Sequence, residues 1–210
     1  MFIQCPMDIE TLYGGSVVAM VGKNCVSIIC DNRLGAGAIT ISKDFNRIFQ
    51  VTNRILIGMT VFLPDAQFLL KKIEKHVELF RLETGRDIEP EECANLISAI
   101  LYSHRSSPLY VSPVVVGLDS NNNTYVCSMD CLGCKCEPKN FVAEGTASLN
   151  LTGMCEVLYR KDMTEEDLFT TSVQVFLNSV DRDALSGWGA QCIILTPTEK
   201  KVRKIKGRIY

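Results

Sequence analysis

At 210 residues, with 47% hydrophobic and 22% charged side chains, the chain has the balance of a folded domain. A formal net charge of −2 points to neither nucleic-acid nor membrane binding. No stretch approaches the roughly 18 uninterrupted apolar residues of a membrane span, and Asp8 and Glu10 interrupt the segment where a secretory signal would be apolar.

With no Pro/Ser/Gly-rich linker, a single domain over 1–210 is expected, soluble and intracellular. Residues 1–13 are read as a short retained extension, and 199–210 as a basic C-terminal strand and tail. "LYGGSVVAM", Leu12 to Met20, sets two glycines and Ser16 at the mouth of an apolar strand. Glycines there mark a bend or a close backbone approach. "GGSVVAMVGKNCVSIICDNRL" reads as a hairpin turning at Gly22-Lys23-Asn24. "NRIFQVTNRILIGM" reads as another, turning at Thr52-Asn53. From Pro64 the period changes: Ala66, Leu69, Leu70, Ile73, Val77 and Phe80 share one helical face, which stops at Gly85.

A second helix starts at Pro90-Glu91-Glu92, whose carboxylates suit an N-terminal dipole, and ends near "HRSSP". Strands return in "SPVVVGLD", "NNNTYVCSMD" and "NFVAEG". A third helix carries Leu151, Met154, Cys155 and Leu158 on one stripe. The fourth opens on the capping signal Thr164-Glu165-Glu166-Asp167 and presents Phe169, Val173, Phe176 and Val180. "WGAQCIILTPTEKKVRKIK" closes the chain as a hairpin. Helices in consecutive pairs between hairpin-linked strands predict antiparallel sheets and an α+β architecture.

Ten cysteines ask for a compartment. Cys25, Cys30, Cys127, Cys155 and Cys192 lie in apolar runs, as small buried hydrophobes do. Without a secretory signal, free thiols are expected rather than a disulfide framework. Cys127, Cys131, Cys134 and Cys136 crowd together, yet C-x3-C-x2-C-x-C is not the paired spacing of a structural zinc site. No metal or cofactor is therefore expected. His76, among lysines and glutamates, is read as solvated; His104 sits at a helix end, and Trp188 is expected in a core or an interface.

Three segments, "GGSVVAMVGKNCVSIICDNRLGAG", "FVAEGTASLNLTGMCE" and "DRDALSGWGA", in this order, resemble proteasome β subunits. The resemblance runs from Gly14 to the C-terminal strand. It implies a four-layer αββα sandwich of the N-terminal nucleophile hydrolase type, which agrees with the order of elements. In active members a threonine, freed by cleavage after a glycine, attacks the peptide carbonyl with its own amine as base.

Carried over by position, the resemblance implies an inactive chain. Counting back from the matched Asp31 puts Gly15 in the nucleophile slot, with no side chain to react. Arg47 stands in the lysine position and keeps its charge at any accessible pH. Val61-Phe62 replaces the Gly-Gly pair that supplies the oxyanion donor. Asp31, Thr146 in a serine slot, Asp183 and Ser186 match the supporting group. The alternative is an autonomous amidohydrolase using Ser16 after cleavage, but a one-residue slip along a strand turns the side chain to the opposite face.

The resemblance further implies a structural subunit of the 20S core, in cytoplasm and nucleus. Its partners there are other β subunits of the ring, α-ring subunits and the opposite β ring. The loops "LGAGAIT" and Cys131 to Cys136 are expected at contacts with neighbours.

Overall fold

A computed structural model describes residues 9–207 of the chain. After a short 3-10 turn at Ile9–Thr11, the strands are β1 (Ser16–Val21), β2 (Val26–Asp31), β3 (Leu34–Ala36), β4 (Ile39–Ser42), β5 (Ile48–Thr52) and β6 (Ile55–Val61). Helices α1 (Leu63–Thr84) and α2 (Pro90–Ser103) follow, then β7 (Val111–Leu118), β8 (Thr124–Met129), β9 (Lys135–Cys136) and β10 (Phe141–Gly145). Helices α3 (Ser148–Leu158) and α4 (Glu165–Val180) lead into β11 (Ala190–Leu195) and β12 (Lys200–Ile205).

Two antiparallel five-stranded sheets form, ordered β10-β1-β2-β11-β12 and β5-β6-β7-β8-β9. Strand alternation builds the layers. On β1, Val17 and Ala19 face the second sheet, while Val18 and Met20 face α3 and α4. On β6, Leu56 faces the first sheet, while Ile55, Ile57 and Met59 lie under α1 and α2. Three apolar cores thus separate four layers, helix on sheet on sheet on helix, as the α+β reading predicts.

Helix ends follow local chemistry. Gly85 stops α1 with φ 70 and returns its N–H to the Arg81 carbonyl. On α2 the Glu89 side chain accepts from the third-residue N–H, and the Glu92 side chain accepts from Glu89 N–H. The Thr164 hydroxyl accepts from Asp167 N–H at the head of α4.

Three local readings change. "LGAGAIT" is not a plain loop: it contains β3 and begins β4, a separate two-stranded sheet with Ile39 and Ile41 outward. The buried centre of α4 is Leu168, Ser172, Val175, Phe176 and Ser179, with Phe169 and Val173 at its margin. Apolar periodicity passed over the serines, whose small side chains permit close packing and hydrogen-bond to Ser27 and to the Val175 carbonyl. Lastly, the basic β12 is tied to the acidic first turn of α4, with Lys201 2.7 Å from Glu165 and Arg203 2.7 Å from Glu166. The rest of the tail, 208–210, and residues 1–8 of the extension lie outside the described residues.

Candidate functional site

The head of β1 meets the end of β2, the entry to β5 and the loop before β11. Asp31, fully buried, is the hub of this junction. Its Oδ1 accepts from Ser16 N–H at 3.1 Å and from Arg47 Nε at 2.9 Å. Its Oδ2 accepts from the backbone N–H groups of Arg33 and Gly187, each at 3.3 Å. Burial pushes the Asp31 carboxyl up, and the Arg47 charge with the Ser16 and Gly187 donors opposes that push. Arg47 is 3% exposed and also donates from Nη2 to the Arg33 carbonyl.

Gly15 lies directly against this guanidinium. Its φ is +102, a region that disfavours any side chain, and a Cβ built there would fall 2.2 Å from Arg47 Cζ. Ser16 is different. It shares the face of Val18 and Met20, is fully buried, and accepts from Ala147 N–H at 2.9 Å.

A hydroxyl chain runs on from Ser16. Thr146 Oγ1 donates to Asp183 Oδ2 at 2.6 Å, which uses its only proton. Ser186 must then donate to Thr146 across 3.0 Å, and Ser16 to Ser186 across 2.9 Å. The Ser16 proton therefore points into a packed network rather than toward a cleft. Thr146, Asp183 and Ser186 belong to one cluster and Asp31 and Arg47 to a second, and Ser16 joins them, its N–H donating to Asp31 and its hydroxyl bonded to Ser186.

Val61 closes β6 with φ +81, an outlying conformation for a β-branched residue. The Phe62 N–H that follows is taken by the Tyr110 carbonyl at 3.0 Å, and the Phe62 ring lies 5.5 Å from that of Tyr13. A cleft of about 280 Å³ remains between Gly15, Val61, Tyr110, Asp130, Glu144 and Thr146. Burial pushes the Glu144 carboxyl up, and Asp130 adds to the effect.

Several participants escaped sequence reasoning. Arg33 fastens the β3–β4 hairpin to the loop before β11, donating to Thr40 Oγ1 and to the carbonyls of Gly37 and Leu185. The strain at Val61 has one signal in the sequence, a valine where the resemblance implies a glycine. The network role of Ser16 has none, because a strand-initial serine carries no mark of its partners.

The cysteine-rich turn is held by Asp130 Oδ1, which accepts from Leu132 N–H and Cys134 N–H. Cys127 faces the α1–α2 core, whereas Cys134 and Cys136 are exposed. Among the described residues no cluster of His, Cys, Asp or Glu is placed to hold a metal ion, and no helix is long and apolar enough to cross a membrane. His76 is exposed, and His104 Nδ1 donates to the Ile100 carbonyl at 2.8 Å. Trp188 is partly buried, with the Lys43 ammonium 3.9 Å from its ring centre.

A family model described as "Proteasome subunit" matches residues 11–195. "Proteasome subunit beta type-3-A" of Arabidopsis thaliana is 46% identical over 203 residues, covering 97% of this chain and all of the relative. "Proteasome subunit beta type-3" of Oryza sativa subsp. japonica is 44% identical with the same coverage. The protein of that name from Saccharomyces cerevisiae is 42% identical over 202 residues, covering 96% of this chain and 98% of the relative. The chain belongs to the proteasome subunit family, among relatives of the beta type-3 kind.

Proposed function

We propose that the chain is a non-catalytic β subunit of the 20S proteasome core, completing its β ring and shaping the sites of active neighbours. Through that core it serves ATP- and ubiquitin-dependent protein degradation in cytoplasm and nucleus. Its partners are other β subunits of the ring, α-ring subunits and the opposite β ring. The observation that carries the reading is the head of β1, where Gly15 has no reactive atom and lies against a guanidinium. On this reading Gly15, Asp31, Arg47, Val61, Thr146, Asp183 and Ser186 are the positions of a lost active site. Asp31 and the Ser16–Ser186–Thr146–Asp183 chain persist because buried polar groups must stay paired once a fold is built around them.

Partner surfaces support the assembly. Ile39 and Ile41 are 73% and 60% exposed on the small β3–β4 sheet, and Leu149 on α3 is 89% exposed. A ring member has heterologous contacts on both flanks to cover such residues. We assign β3–β4 and the Cys131 to Cys136 turn to contacts with neighbouring subunits.

The test is affinity recovery of the tagged full chain from a eukaryotic cell. Co-recovery with a full set of related α and β subunits in one particle is expected. A chain recovered alone, with hydrolytic activity of its own, would overturn the proposal.

A further inference from the structure

We infer that Arg47 and a side chain at position 15 exclude one another, which makes Arg47 the residue that holds this site shut. The inference rests on reading Gly15 as the nucleophile position. It adds that the site is not merely missing a hydroxyl: its volume has been reassigned.

A Cβ at position 15 would stand 2.2 Å from Arg47 Cζ and 2.3 Å from both Nε and Nη2. Such an overlap is cheap when the tip of a free side chain can move aside. This tip is not free. Nε is held by Asp31 and Nη2 by the Arg33 carbonyl, with the Phe45 ring centre 5.2 Å from the guanidinium carbon. The space beside it, between Phe45, Phe49, Met59 and Leu63, is about 10 Å³, no more than one water needs. If the guanidinium swung outward, fully buried Asp31 would lose its one cation contact among the described residues.

A lysine at position 47 would change this. Its single ammonium keeps a charge near Asp31 without the planar fork that fills the space above Gly15. Position 15 can therefore accept a side chain when position 47 is lysine and rejects one when it is arginine. Restoring a hydroxyl at position 15 alone would restore no site.

A double-mutant cycle on the full-length chain tests this through thermal unfolding of the parent, Gly15→Ala, Arg47→Lys and the pair. The strain of alanine at φ +102 is common to both backgrounds and cancels in the comparison. With Arg47 in place, Gly15→Ala is expected to lower the midpoint by about 6 °C or more, and in the Arg47→Lys background by less than half as much. Folding of the double variant where Gly15→Ala alone fails to fold carries the same meaning. Equal or larger losses in the Arg47→Lys background, or failure of both alanine variants to fold, would overturn the inference. A chain showing the coupling but never entering a proteasome core would sink the assembly proposal only.

Discussion

Asp31→Asn probes the junction at the head of β1. The change keeps shape and removes charge. Arg47 then becomes a buried cation, 3% exposed, with the Arg33 carbonyl left as a charge-independent partner. Removing one member of a buried pair costs about 3–5 kcal/mol. A second cost follows from hydrogen count. If the amide oxygen keeps Ser16 N–H and Arg47 Nε, its NH2 group must face the Arg33 and Gly187 N–H groups, donor against donor. Unmade buried hydrogen bonds add about 1 kcal/mol or more, so the total comes to about 4–6 kcal/mol, a large share of the 5–15 kcal/mol typical of a domain. Arg47→Met should cost less, about 3 kcal/mol, because it leaves Asp31 three backbone N–H donors. Urea unfolding of both full-length variants at neutral pH measures this. A loss under about 1 kcal/mol for Asp31→Asn, or a greater loss for Arg47→Met, would show that the buried pair does not hold the junction in this way.

Val61→Gly should relieve the strain of φ +81 and raise the melting midpoint by a few degrees, about 1–2 kcal/mol; a clear loss in calorimetry would show that Val61 packing outweighs its backbone. Burial pushes the thiols of Cys30, Cys93, Cys155 and Cys192 up to about 12. Maleimide with peptide mass mapping on the native chain should therefore label Cys134 and Cys136 and spare those four until denaturant is added. Labelling of Cys30 in the native chain would contradict the packing of β2. Because burial holds the Glu144 carboxyl above its usual range, the folded chain binds that proton more tightly than the unfolded chain. Its contribution is favourable in acid and is lost as pH rises through the folded value. Glu144→Gln should thus be no less stable than the parent at pH 7, with any advantage shrinking in acid; an advantage that grows in acid would reverse the sign.

The layers were legible because burial imposes period. The unbroken apolar run of β1 marked it as buried, and the α1 stripe marked one helix face; that β1 divides Val17 and Ala19 from Val18 and Met20 between two cores is seen in the fold. Part of the site came through the resemblance instead: counting back from the matched Asp31 implies Gly15 as the nucleophile position, one residue short of Ser16. What stayed hidden is whatever depends on contact between distant segments. The overlap that a Cβ at position 15 would make with Arg47, 2.2 Å from Cζ, joins segments far apart along the chain and leaves no local pattern. Polar packing was equally silent: Ser172 and Ser179 carry no burial signal of their own, and only the tertiary partners Ser27 and Met20, with the Val175 carbonyl, explain their burial. The β3–β4 hairpin was missed because its strands span three and four residues and bury only Gly35, which has no apolar side chain to set a period.

That this chain holds a place in the core without reacting there can be checked by the intact mass of the chain recovered from assembled core particles. The particles are first exposed to an electrophilic peptide that modifies active N-terminal nucleophiles. An unmodified chain that still carries residues preceding Gly15 is expected, beside subunits of the same particle that bear the adduct. A chain beginning at Gly15 or Ser16, or one carrying the adduct itself, would contradict a non-catalytic role.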